Sequence, residues 1–145
     1  MKLIVINGPN INLTGIREKD IYGSVSYEDM KREIAFHAGE LGMECEVFQS
    51  NHEGDIIDRI QQCLGEDCAI IINAGGFSHT SVAILDALRA ADVPCVEVHM
   101  SDITKREEFR RFTYTSLACE KTFMGEGLKS YLRAADYISE KYDGR

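Results

Sequence analysis

The sequence lacks the apolar segments that a membrane or a secretory signal requires. Its opening apolar run, Leu3 to Ile6, is shorter than the roughly 7–15 apolar residues of a signal peptide. No stretch approaches the ~20 apolar residues of a membrane span. Repeats, low-complexity tracts and linkers are also missing, so residues 1–145 are expected to form a single domain with no membrane partner.

Positive charge is scarce as well. The chain has 24 acidic and 16 basic residues, and its net charge is −8 at pH 7. This balance argues against nucleic acid and anionic membranes as partners. It also means that an anionic substrate needs a local cluster of positive side chains, because the overall field repels it.

Several motifs of metal, cofactor and nucleotide sites are missing. The five cysteines make no CxxC pair, and no histidine or cysteine cluster has zinc spacing. The sequence contains no GxxxxGK[ST] phosphate loop and no GxSxG elbow. We therefore expect reduced thiols in a cytoplasmic protein, no metal, and chemistry performed by side chains alone.

What the sequence does contain is an alternation of apolar runs and helical patterns. Two of the runs are nearly continuous in Ile, Val and Ala, which is typical of strands buried on both faces of a parallel sheet. The alternation predicts an α/β fold, a flavodoxin-like, doubly wound, five-stranded parallel sheet with helices on both faces. The predicted strands are Leu3–Asn7, Cys45–Ser50, Ala69–Asn73, Val96–Met100 and Ala118–Met124.

Four helices are predicted between and after these strands. Ser26 opens a capping box with Asp29, and Ser78, Thr80 or Ser81 is expected to cap the third helix. A short helical piece is expected around Lys105–Arg111. The apolar positions that mark the four helices begin at Met30, Ile56, Val82 and Leu128.

An unusually long connection follows the first strand. Residues 8–25 have the period of neither a helix nor a strand, and loops longer than about 12–15 residues are uncommon and often functional. This loop carries Arg17 and Tyr22.

Polar residues collect where the predicted strands end. In open parallel sheets, ligands bind beyond the carboxyl ends of the strands. The residues at those ends, or soon after them, are Asn10, Asn73, His79, Glu97, His99, Ser101, Asp102 and Arg110. Ordinary roles compete: asparagines after strands are often turn residues, and a histidine at a helix start can cap the helix or face solvent.

Glu97 and His99 are two residues apart on a predicted strand, so their side chains share a face. A carboxylate that accepts a ring N–H fixes the histidine tautomer and raises its basicity, which suits a general acid or base. The alternative is a buried structural pair.

With these motifs in place, the chain resembles the type II 3-dehydroquinate dehydratases, shikimate-pathway lyases that remove water from 3-dehydroquinate. The segments that carry the resemblance are "LIVINGPNINL", "FQSNHEGDIID", "INAGGFSHTSVAI" and "VEVHMSDI" with the following "REEFR". The resemblance implies a single catalytic domain without a cofactor. It also implies an anionic substrate and a dodecamer built as a tetramer of trimers.

The resemblance also implies roles for individual residues. Tyr22 would remove the proton beside the substrate ketone, and Arg17 would favour its phenolate, since a free tyrosine has a pKa of about 10. Asn10 would hold a water that stabilises the enolate. His99, oriented by Glu97, would protonate the leaving hydroxyl.

Substrate contacts are implied in the same way. Asn73, His79 and Arg110 would bind hydroxyls, while Ser101 and Asp102 would bind the carboxylate. Asp86 would reach the site of a neighbouring subunit; it is expected on the same helix face as His79, two turns and about 10 Å further on.

Two departures from the family pattern stand out. Asp102 and Thr104 replace a common asparagine and histidine, and the fifth strand is more polar than usual. Two other functional readings remain: a flavodoxin-like module that binds a nucleotide or flavin, and a scaffold protein that has lost activity.

Overall fold

Five parallel strands form one sheet in the computed structural model, which describes residues 1–17, 20 and 25–143. The strands are β1 (Lys2–Asn7), β2 (Glu44–Gln49), β3 (Cys68–Asn73), β4 (Cys95–His99) and β5 (Thr122–Met124). Their order is β2-β1-β3-β4-β5, and every pairing is parallel. This is the flavodoxin-like order, so the predicted fold is confirmed.

Within the described residues, four α-helices cover the two faces of the sheet: α1 (Tyr27–Glu40), α2 (Glu53–Gln61), α3 (Val82–Ala91) and α4 (Leu128–Ile138). Alternate residues of β1 point to opposite faces. Leu3 and Val5 pack with α1 and α4, whereas Ile4 and Ile6 pack with α2 and α3. In the part of the chain that the structure describes, no helix is long and apolar enough to cross a membrane.

The helix starts follow the predicted capping chemistry. Ser26 Oγ accepts a hydrogen bond from the Asp29 backbone N–H at 3.1 Å, and Ser81 Oγ accepts one from Ile84 N–H at 2.9 Å. The cap at Ser81 shows that the expectation of a single helix containing His79 and Asp86 was wrong. His79 ends a separate 3₁₀ turn, Gly75–His79, so His79 and Asp86 do not share a helix.

The polypeptide after β4 also differs from expectation. The predicted fifth strand began at Ala118, but residues Thr115–Ala118 form a 3₁₀ turn and pairing with β4 starts only near Lys121. The helical piece expected around Lys105–Arg111 is two 3₁₀ turns, Ile103–Lys105 and Glu108–Arg110. The threonine-rich segment before β5 turns inward toward β4, which accounts for the shorter strand.

The loops after β1 and β3 lie in close contact at the carboxyl edge. Gly8 N–H donates to Asn73 C=O at 2.8 Å, and a Cβ on Gly8 would come within 2.1 Å of Ala74 O. Only glycine permits this approach, which brings the two loops together beside the site.

Gly8→Ala should therefore destabilise the protein by about 1–3 kcal/mol, because backbone atoms must move to admit the methyl group. The control is Gly39→Ala within α1, where an added Cβ meets no heavy atom within 4 Å. That change should stabilise the protein by about 0.5–1 kcal/mol. Urea unfolding measures both, and equal effects at the two positions would contradict the packing described for Gly8.

Candidate active site

A cavity of about 190 Å³ opens beyond the carboxyl ends of β1, β3 and β4. It brings together most of the residues predicted from the sequence. Those that line it are Asn10, Arg17, Asn73, His79, His99, Ser101 and Arg110. The rest of the wall comes from Pro9, Ile11, Gly75, Gly76, Met100, Ile103 and Arg106, which were not predicted.

Three arginines among the described residues line this cavity: Arg17, Arg106 and Arg110. Arg106 and Arg110 also lie beside the Glu107 carboxylate, at 3.9 and 2.6 Å. None of the described residues that line it is acidic. A protein with a net charge of −8 thus has a local positive site, which is what an anionic ligand requires. Arg106 was missed as a site residue, although its place four residues before Arg110 puts it on the same short segment.

His99 and Glu97 meet as predicted, at the end of β4. His99 Nε2 lies 3.3 Å from Glu97 Oε2, and both side chains are almost completely buried. This contact lacks the alignment of a straight hydrogen bond. The His99 ring lines the cavity, whereas Glu97 stands behind it.

Threonine hydroxyls surround the Glu97 carboxylate. Thr113, Thr115 and Thr122 each donate to it, from the segment before β5 and from β5 itself. Burial raises the pKa of Glu97, but His99 and the hydroxyls outweigh it and hold that pKa below its ordinary value. The unexpected polarity of the fifth strand is thus explained in part, because Thr122 serves this carboxylate.

His79 presents a neutral ring to the cavity. Its Nδ1 lies 2.9 Å from the Phe112 carbonyl oxygen, which can only accept, so the proton sits on Nδ1. Burial lowers the pKa of His79, and the nearby His99 and Arg110 lower it further against the opposing effect of the Phe112 carbonyl. Nε2 is then free of a proton and suits a ligand hydroxyl that donates.

The first part of the long loop is anchored beside the cavity. Asn10 adopts a left-handed conformation with φ of 71°, and its N–H donates to Asn51 Oδ1 at 3.0 Å. Arg17 Nε reaches the Asn10 carbonyl oxygen at 3.4 Å. Gln49 adds a bond to the Gly8 carbonyl oxygen at 3.1 Å, so the end of β2 holds this segment in place.

Asn73 is positioned by a buried network between the strands. Its Nδ2 donates to Tyr131 OH at 2.8 Å, and Tyr131 OH donates to Asn7 Oδ1 at 2.7 Å. Gly75 N–H reaches Asn73 Oδ1 at 3.3 Å. Because Asn7 and Asn73 are register partners on β1 and β3, one tyrosine fixes both strand ends.

Three predicted residues among those that the structure describes do not line the cavity: Glu97, Asp86 and Asp102. The Asp102 carboxylate accepts from the N–H and hydroxyl of Thr104, so the two departures from the family pattern form one hydrogen-bonded pair. Those bonds lower the pKa of Asp102. Asp86 is exposed on α3, and Tyr22 lies outside the described residues. Among the residues that the structure describes, no group of three or more metal-ligating side chains could hold an ion.

Comparisons with known proteins agree on one family. The family model described as "Dehydroquinase class II" matches residues 1–139. The 3-dehydroquinate dehydratase of Caldicellulosiruptor bescii is 53% identical over 143 residues, with 98% of this chain and 99% of that protein covered. The one from Thermotoga maritima is 48% identical over 143 residues, with 99% and 98% covered.

A solved structure extends the likeness to the fold. The crystal structure of type II dehydroquinase from Butyrivibrio crossotus has a TM-score of 0.91 and 45% sequence identity to this chain. The match covers 95% of this chain and 97% of that one.

The buried hydrogen bonds of Tyr131 with Asn7 and Asn73 lead to a testable prediction. Tyr131→Phe should destabilise the protein by about 1–3 kcal/mol, because buried amide groups of Asn7 and Asn73 lose their partner. Tyr137→Phe on the same helix is the control. The Tyr137 hydroxyl contacts Lys141 and Glu120 at the exposed surface, so a change within about 0.5 kcal/mol is expected. Urea unfolding measures the stability of both variants. A Tyr131→Phe variant as stable as the wild type would contradict a stabilising role for these hydrogen bonds.

Proposed function

The chain belongs to the class II dehydroquinases, and we propose that its carboxyl-edge cavity is where 3-dehydroquinate loses water to give 3-dehydroshikimate. Membership in this lyase family decides against the nucleotide- or flavin-binding module. One observation carries the assignment of the site. The cavity is lined by three arginines and by a histidine ring that is backed by a buried carboxylate.

The positive wall of the cavity supports the binding of an anionic, polyhydroxylated substrate. Ser101, with the backbone at Asp102, is proposed to hold the substrate carboxylate. Asn73, His79 and Arg110 are proposed to bind its hydroxyls. The neutral state of His79 suits that task, since Nε2 accepts a hydrogen bond from a hydroxyl.

Proton removal is assigned to Tyr22, which lies outside the described residues. A tyrosine with a pKa of about 10 is a poor base near neutral pH, so its phenolate needs a positive neighbour. Arg17 supports this role because it lines the cavity five residues earlier in the chain. The product of this step is an enolate, and Asn10 is proposed to hold a water against it.

His99 completes the elimination. As the imidazolium, it gives a proton to the leaving hydroxyl, which departs as water while the enolate collapses to the conjugated ketone. Glu97 stabilises the imidazolium and keeps the ring oriented toward the cavity.

We also propose the assembly of the chain as a tetramer of trimers. Exposed apolar side chains near the cavity support an interface: Phe109 is 67% exposed, Phe112 56% and Leu117 54%. On α3, exposed Val82 stands one turn before Asp86. Asp86 is proposed to reach the cavity of the adjacent subunit.

A cytoplasmic location is part of the same proposal. All five cysteines are free thiols, as expected for a reducing compartment. A substrate made by cytoplasmic metabolism would meet the enzyme there.

Catalysis is tested with 3-dehydroquinate and the near-ultraviolet absorbance of the conjugated product. His99→Ala and Tyr22→Phe should each reduce turnover about 10²–10⁴-fold, the usual contribution of a general acid or base. His52→Ala is the control, since His52 is exposed at the start of α2 and makes no capping bond. Near-normal turnover in His99→Ala or Tyr22→Phe would show that the residue does not have the catalytic role proposed for it.

The shared site is tested by mixing two inactive proteins, Asp86→Ala and Tyr22→Phe, under conditions that exchange subunits. If Asp86 serves a neighbouring subunit, some sites in the hybrids contain both intact residues, and activity returns. Mass spectrometry verifies the exchange. Exchange without recovered activity would show that Asp86 serves its own subunit or no site.

A further inference from the structure

We propose that Thr113, Thr115 and Thr122 are positioning residues whose hydroxyls hold Glu97 as the anion and thereby keep the catalytic proton on His99. We call these three side chains the threonine cage. The inference rests on the proposed function, because it concerns the proton that His99 delivers to the leaving group.

The cage occupies nearly all the hydrogen-bonding capacity of the carboxylate. Glu97 Oε1 accepts from Thr113 at 3.3 Å and from Thr122 at 3.0 Å. Oε2 accepts from Thr115 and faces His99 Nε2 at 3.3 Å. An ionised carboxylate has about four lone-pair sites, so the three hydroxyls take three of them and the His99 ring lies beside the remaining one.

Burial makes these hydroxyls necessary. Glu97 is 1% exposed, Thr115 0% and Thr113 5%, which leaves little room for water at the carboxylate. A buried charge without partners is costly, whereas hydrogen bonds donated to a carboxylate favour its ionised form. The pKa of Glu97 agrees with this: burial raises it, but His99 and the threonine hydroxyls lower it below its ordinary value.

The cage decides where a shared proton resides. Glu97 and His99 in contact can hold one proton either as carboxylate and imidazolium or as carboxylic acid and neutral imidazole. Hydroxyl donors favour the first state, which is the form of His99 that can protonate a leaving hydroxyl. In the described part of the chain, the other titratable or charged groups near the pair include Cys95 on β4 and His79, whose ring lies 6.2 Å from that of His99. The side chains that line the same cavity as His99 add Arg17, Arg106 and Arg110.

None of the three threonines lines the cavity, so they act on the reaction only through Glu97. A purely structural role is the competing explanation, because the cage also ties β4 to the segment before β5. Thr122 is the register partner of Glu97 in the β4–β5 pairing. Stability alone cannot separate the two explanations, but the protonation state of His99 can.

The experiment compares Thr115→Val and Thr122→Val with Thr115→Ser and Thr122→Ser in the whole protein. Valine keeps the shape and removes the donor, while serine keeps the donor. Each valine variant should lower kcat about tenfold with KM nearly unchanged, less than the roughly 10²–10⁴-fold contribution of the acid itself. The serine variants should recover most of the lost kcat.

Nitrogen-15 NMR of the His99 ring, assigned by its loss in His99→Ala, gives the second readout. At a given pH, the imidazolium fraction should fall in the valine variants and return in the serine variants. Ser130→Ala is the control, since it removes a buried hydroxyl that contacts the Glu126 N–H rather than Glu97. It should leave kcat and the His99 signal unchanged.

The outcomes separate this inference from the proposed function. Valine variants that unfold at a lower temperature but keep wild-type kcat and His99 spectra would contradict the positioning role of the threonine cage. A wild type that does not convert 3-dehydroquinate would overturn the proposed function, yet the His99 spectra would still report whether the cage controls the proton.

Discussion

A carboxylate buried at the end of β4 is the constraint on which much of this structure depends. Glu97 is 1% exposed and cannot be ionised there without partners. Its partners all come from later in the chain: His99 two residues on, Thr113 and Thr115 from the segment that leads into β5, and Thr122 from β5 itself. The segment that supplies Thr113 and Thr115 runs into a 3₁₀ turn, Thr115–Ala118, and the polar Thr122 begins the short strand β5.

The second constraint is the meeting of β1 and β3 at the switch point of the sheet. Gly8 allows the loops to touch, and Tyr131 joins the side chains of Asn7 and Asn73 beneath the cavity. These contacts hold the wall rigid where hydroxyl groups are proposed to bind. Packing and site geometry therefore depend on the same few residues, which is typical of sites built on strand ends.

Sequence patterns predicted most of the fold. Runs such as Ala69–Asn73 are apolar on both faces. This pattern predicts a buried parallel strand even when the order of the neighbouring strands is not known. The rule that ligands bind at the carboxyl ends of strands singled out Asn10, Asn73, His79 and His99, and all four line the cavity. Resemblance to a family added Arg17, which no local pattern would have placed there.

The remainder depends on contacts between distant parts of the chain. The threonine cage is invisible in the sequence because Thr113 and Thr122 are 16 and 25 residues from Glu97. The break between His79 and Asp86 was missed because the Ser81 cap starts a helix inside a segment that reads as one. The role of Tyr22 stays a prediction.

The roles given to His99 and to the threonine cage both require that Glu97 is ionised. Carbon-13 NMR of the Glu97 side-chain carboxyl measures its charge state directly. The signal is assigned by its loss in Glu97→Gln and followed as the pH is lowered. A glutamate ordinarily titrates at about pH 4.3. Glu97 in the folded protein is expected to titrate at a lower pH than an ordinary glutamate, since its pKa is lowered. A carboxyl that is half protonated at or above pH 4.3 would contradict it.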